Sequence, residues 1–230
     1  MAIVTRDFFK AGEIFIDHAD PDVNDAVQGI SDDLDSDIEQ YEREALVCLL
    51  GYPLYKLFFD ELDSNENNGL APGADAKWNE LLNGLEYTFD GKTVNWRGLR
   101  FNDETGILFN DAKRKQSLIA YYIYYFYIKK DIVTYTASGT HRINAANSES
   151  VNIIDKSVRA WQQFYNLSIG NYGEVRTSVN RFGMHSIDYY GSSNKDRSLY
   201  QFLSDQNQLV EDKYPDWEPT FFANQNRLGV

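Results

Sequence analysis

The sequence predicts a mainly α-helical protein with a small β-hairpin, an extended N-terminal arm and an irregular C-terminal extension. Apolar residues recur at helical spacing over most of residues 34–167. A single tight-turn pair, Asp90-Gly91, lies between two short strand-like runs. Leu118–Ile128 (LIAYYIYYFYI) is unbroken by any charge, and five of its eleven residues are tyrosine. A helix that apolar on every side has to be covered on every side. At about 1.5 Å per residue it spans roughly 16 Å, half of a ~30 Å hydrocarbon core, so it is not a membrane span.

In chain order, residues 1–33 lack helical periodicity and read as an arm, with a strand at Glu13–Asp17 (EIFID) and a turn-rich stretch at Asp20–Asn24. The carboxylates of Ser31–Asp37 (SDDLDSD) suit a helix start, where they face the positive end of the dipole. Leu34, Ile38, Tyr41, Ala45, Cys48, Leu49 and Tyr52 then fall on one helical face. Gly51 and Pro53 end that helix, and Leu54–Leu62 continues helically in a new direction. Asp63–Gly73 is a polar loop, and Ala74–Leu85 is a helix burying Trp78, Leu81, Leu82 and Leu85. The hairpin pairs Tyr87–Phe89 with Thr93–Trp96, an insertion at about 86–97. The tyrosine helix runs from about Asn110 to Asp131. Thr134–Glu149 is small and polar and reads as a loop, and Val151–Leu167 is a helix with Val151, Ile154, Val158, Trp161 and Tyr165 on one side. Residues 169–230 form the extension, with one helix at Asp196–Val210 that buries Leu199, Phe202, Leu203 and Leu209. Tyr214, Trp217, Phe221 and Phe222 give its end more aromatic anchors than a disordered tail carries.

Composition narrows the function classes. Residues 1–70 hold 17 Asp/Glu against 4 Lys/Arg and account for the whole net charge of −13; the remaining residues balance to zero. With no basic patch, phosphate-backbone binding is disfavoured. An acidic segment serves solubility, steers basic partners or keeps DNA from sticking. A single Cys48 excludes a disulfide framework and reads as core, and no basic-then-apolar leader opens the chain. His18, His141 and His185 lie far apart without metal-ligand spacing, and neither a phosphate-cradling glycine loop nor a nucleophile elbow occurs. The carboxylates at Asp33, Asp35, Asp37 and Glu39 lack the turn glycine of a calcium loop, with Ser36 and Ile38 in its place. No catalytic, metal or cofactor site is expected. Candidate subunit or partner contacts are Ile123, Tyr124 and Tyr127 on the far side of the tyrosine helix, and Tyr214, Trp217, Phe221 and Phe222 in the tail.

Ser117–Asn166 (SLIAYYIYYFYIKKDIVTYTASGTHRINAANSESVNIIDKSVRAWQQFYN) resembles the head–tail connector proteins (adaptors, or neck rings) of tailed bacteriophages, especially crAss-like and related phages. Its most specific part is Thr136–Glu149, followed at once by an aromatic-containing helix; Arg43–Phe58 is compatible with the start of such a domain. The resemblance covers roughly residues 34–167, leaving out the arm, the hairpin and the last sixty residues. It implies a helical-bundle protomer over 34–168 that closes into a ring, typically of about twelve copies. The ring would lie beneath the portal protein, beside other neck or tail rings, and enclose the channel through which double-stranded DNA passes without specific binding. It further implies a virion protein made in the host bacterial cytoplasm, not a membrane protein, and adds Thr136, Ser138, His141, Arg142 and Asn147 as interface candidates. The alternative reading is an aromatic-rich carbohydrate- or protein-binding module, with Tyr189, Tyr190 and Tyr200 available to stack on sugars. A hydrolase built on paired carboxylates is the third, with no motif in its favour.

Overall fold

A computed structural model of the chain describes residues 3–10, 12–16, 19, 28–63, 69–100, 117–131, 133–136, 139–142, 153–170 and 196–219. Within them the protein is mainly helical. Its α-helices are α1 (Gln28–Leu50), α2 (Tyr52–Asp60), α3 (Ala76–Asn83), α4 (Leu118–Asp131), α5 (Ile153–Ser168) and α6 (Leu199–Leu209). Two antiparallel hairpins join them, β1 (Leu85–Phe89) with β2 (Lys92–Trp96) and β3 (Val133–Thr136) with β4 (Gly139–Arg142).

The tyrosine helix is the hub. Ser117 starts α4, its Oγ accepting from the backbone N–H groups of Ile119 and Ala120 while its hydroxyl donates to the Leu99 carbonyl at 2.8 Å. The expected start near Asn110 lies outside the described residues. α4 packs between α1 and α5. Phe126 stacks on Tyr41 of α1 at 5.2 Å between ring centroids. On the α5 side, Tyr125 meets Trp161 at 4.8 Å and Tyr122 meets Phe164 at 5.0 Å. At the helix end Lys130 pairs with Asp37 of α1 at 2.9 Å.

The Asp90-Gly91 turn forms as expected. Both residues have positive φ (50° and 73°), as a two-residue hairpin turn requires, and Phe89 pairs with Lys92. This hairpin packs against the helices on both sides of it in the chain. Trp96 donates its indole N–H to the Leu81 carbonyl of α3 at 3.1 Å and stacks on Phe202 of α6 at 5.3 Å. α6 begins with a capping box: Ser198 Oγ accepts from Gln201 N, and the Gln201 side chain accepts from Ser198 N. The same Ser198 hydroxyl donates to the Ile169 carbonyl and so ties α6 to the end of α5.

Several expectations change. Glu13 and Ile14 form a turn and Phe15 and Ile16 are not in a strand, and the described part of the arm is folded in: Ile3, Val4, Phe8, Phe9, Ile14 and Ile16 are buried in the same hydrophobic core as the helices. The C-terminal segment joins that core too, through Leu199, Tyr200, Phe202, Leu203 and Tyr214. Thr134–Glu149 is not loop throughout, since Val133–Thr136 pairs with Gly139–Arg142. The β-branched and aromatic run Val133-Thr134-Tyr135-Thr136 favours extended backbone, a preference that small-residue content obscured.

Phe202 touches Trp96, Tyr87 and Tyr214 and is fully buried. Phe202→Ala is expected to lower unfolding free energy by about 3–5 kcal/mol, read from chemical denaturation.

Candidate functional site

The expected contact residues divide into three groups. Ile123, Tyr124 and Tyr127 are buried inside the single chain, Tyr124 to 2% exposure, so they are not a free face awaiting a neighbour. The cover that α4 demands comes from its own chain. Tyr214 and Trp217 are also committed internally. Tyr214 donates its hydroxyl to the Lys77 carbonyl of α3 at 2.8 Å, and Trp217 donates its indole N–H to the Leu49 carbonyl at the end of α1 at 3.2 Å. Thr136, His141 and Arg142 lie on the second hairpin, opposite Gly139, Thr134 and Val133 respectively. Ser138, Asn147, Phe221 and Phe222 lie outside the described residues, as do Tyr189 and Tyr190, whereas Tyr200 is fully buried and unavailable to a sugar.

Two polar clusters sit inside the protein, and sequence spacing did not reveal either. Glu42 projects from the buried side of α1. Its two oxygens accept from the backbone N–H groups of Ile3 at 2.8 Å and Val4 at 2.7 Å. Burial pushes its carboxyl up to about 7, against the opposing pull of those two N–H groups, the amino terminus and Arg100. Glu42 is thus a clasp for the N-terminal segment. The second cluster joins the first hairpin to α6: Tyr87 donates to Asp205 Oδ2 at 2.8 Å, and the Arg197 guanidinium meets the same oxygen at 3.0 Å. Burial raises the Asp205 carboxyl, while Tyr87 and Arg197 pull it down. Both clusters spend their hydrogen bonds on holding segments together, and each lies under packed structure. Among the described residues no group of three or more His, Cys, Asp or Glu is placed to hold a metal ion.

The surface carries a different signal. α2 buries Leu54, Tyr55 and Phe58 but leaves Tyr52 62% and Phe59 45% exposed. Seven residues apart, Tyr52 and Phe59 stand two turns along one flank, and Tyr55 continues the aromatic strip inward, 5.7 Å from Phe59. Leu57 is exposed on the opposite flank. This helix begins where two backbones nearly touch. A Cβ on Gly51, which has φ of 78°, would lie 2.4 Å from the Glu218 carbonyl oxygen, so only glycine lets the C-terminal segment cross here. Elsewhere α1 exposes Asp35, Glu39 and Glu44 to solvent, with Asp35 paired to Arg6.

Among the described residues no helix is long and apolar enough to cross a membrane. Compared with known proteins, the chain matches no family model, no curated protein and no solved structure.

The Glu42 clasp sets a pH dependence. Below about pH 4.5 the carboxyl is protonated in both folded and unfolded chains, and its contribution to stability is fully present. Between there and about 7 the unfolded chain ionises first, so this contribution is lost as pH rises. Glu42→Gln keeps the shape but replaces the hydroxyl of the protonated carboxyl, whose oxygen can still accept, with an NH2 group that cannot accept from a backbone N–H, at a cost of about 1–3 kcal/mol at pH 5. The stability of the parent relative to Glu42→Gln should fall by roughly 2.5 kcal/mol between pH 5 and pH 8, enough to cancel or reverse its advantage, measured by urea denaturation across that range.

Proposed function

We propose that this chain is a structural ring protein of the phage neck, a head–tail connector that self-assembles against the portal and encloses the DNA channel in the virion. The observation that carries the reading is the aromatic outer strip of α2. Among the described residues the exposed large aromatics are Tyr52, Phe59, Phe15 and Tyr165, and of these Tyr52 and Phe59 share one helix flank. Exposed aromatics on a rigid helix are what a subunit contact uses, since they bury large area with little loss of side-chain freedom. The sequence resemblance over Ser117–Asn166 supplies the connector assignment, and the enclosed helical protomer is compatible with it. The acidic balance of residues 1–70 supports the channel reading, because like charge keeps DNA from adhering to a wall it must slide past. In this role the protein works by shape and contact, and its buried carboxylates Glu42 and Asp205 act as internal fasteners.

The reading is tested by the mass of the purified protein in solution over a wide concentration range, alone and with the portal ring added. The expected result is a closed species of about twelve protomers, alone or on the portal. A monomer that neither self-associates nor binds the portal would overturn it.

A further inference from the structure

α1 and α2 are joined by the single residue Gly51. Its N–H donates to the Val47 carbonyl and so completes α1, while its carbonyl accepts from Tyr55 and opens α2. A glycine with φ of 78° has no Cβ to restrict it, so the local chain does not fix the angle between the two helices. Packing has to fix it. Residues 214–218 supply packing at both ends of α2. At its start, Glu218 crosses over Gly51, and Trp217 donates its indole N–H to the Leu49 carbonyl in the last turn of α1. Towards its end, Phe58 rests on Trp78 of α3 at 5.6 Å between ring centroids, and Tyr214 backs that indole edge-on at 6.2 Å.

The segment is itself anchored. Tyr214 donates its hydroxyl to the Lys77 carbonyl of α3 at 2.8 Å. Its backbone exchanges two bonds with the Asn207 carboxamide of α6, the Tyr214 N–H donating to Oδ1 at 2.8 Å and the Tyr214 carbonyl accepting from Nδ2 at 3.2 Å. Trp217 meets Tyr200 of α6 edge-on at 5.3 Å. α2 is thus seated on a segment that is held in turn by α3 and α6. We propose that residues 214–218 are a wedge that sets the angle of α2 to α1, and that Trp217 is the positioning residue through which the exposed Tyr52–Phe59 flank is held for assembly. The wedge follows from the contacts of the single chain, and its consequence for assembly rests on the self-assembly reading above. A flank held rigid associates more tightly than one that must be ordered on contact, because the ordering is subtracted from the gain.

The test uses the full-length chain carrying Cys48→Ser, Ser36→Cys and Lys56→Cys, which places one spin label on an exposed position of α1 and one on an exposed position of α2. Label-to-label distances are compared between this parent and its Trp217→Phe and Trp217→Ala versions. Circular dichroism and solution mass, alone and with the portal ring, are measured alongside. Trp217→Phe keeps a ring against Tyr200 but has no N–H for the Leu49 carbonyl. Expected is one narrow distance population in the parent, a broader one in Trp217→Phe and the broadest in Trp217→Ala. Both variants should keep their helical circular dichroism while association weakens about tenfold or more. Distances that stay as narrow in both variants as in the parent would overturn the wedge. Weaker association with unmoved distances would make Trp217 a direct contact and overturn its positioning role. Broadened distances with unchanged association would overturn the link to assembly. A parent that neither self-associates nor binds the portal would remove the self-assembly reading, and the distances would still decide the wedge.

Discussion

The structure depends on the need to cover α4 on all sides. A helix with tyrosine or an apolar residue at nearly every position cannot lie on a surface, and its neighbours are arranged by that fact. α1 supplies Tyr41 and the partner for Lys130, α5 supplies Trp161 and Phe164, and the folded-in N-terminal residues complete the same core. Tyrosine suits the place better than phenylalanine would, because its polar tip can find a partner or water at the margin of the packing. Burial raises the Tyr122 and Tyr124 hydroxyls, so both stay neutral, as an interior requires.

The same economy runs through the rest of the core. Large rings provide area, and their single polar atoms fasten distant segments to backbone carbonyls. Trp96 is fastened to Leu81, Tyr214 to Lys77 and Trp217 to Leu49. The Leu49 carbonyl is one of the last of α1, which the helix itself cannot satisfy, so the indole of Trp217 acts as a C-terminal cap from 168 residues away. Glu42 does the reverse, a side chain on a helix satisfying backbone N–H groups of an irregular segment. Net gains per bond are modest, about 1 kcal/mol each, but leaving such buried groups unmade would cost more.

Local signals in the sequence were readable, and distant ones were not. Helical spacing of Leu34, Ile38, Tyr41 and Ala45 located α1, and Asp90-Gly91 located the hairpin turn, because both depend on residues within a few positions of one another. The role of Glu42 was hidden, since its partners are 38 and 39 residues away. How far the described parts of the ends are buried was hidden for a related reason. Ile3, Val4, Phe8 and Phe9 have no period to announce them, yet they are buried in the same core as the helices. The far side of the tyrosine helix was correctly read as needing cover, but periodicity cannot tell whether cover comes from the same chain or another. The α2 strip was missed as a surface because Tyr52 was counted in the apolar stripe of the preceding helix, before the Gly51 bend turned it outward.

The long-range fasteners also order events in time. The Tyr214–Lys77 bond joins residues 137 apart, and Trp217 reaches back further still. Chains dominated by such separations fold slowly, because the entropy of closing a large loop precedes any gain from the contact. During synthesis α3 and the first hairpin emerge well before α6 and Tyr214, which cover Trp78 and Trp96. At about 5–20 residues per second, those two indoles wait several seconds for their cover. The protomer is consequently completed late, and the nascent chain leaves Trp78 and Trp96 without this cover until residues 199–214 have been made.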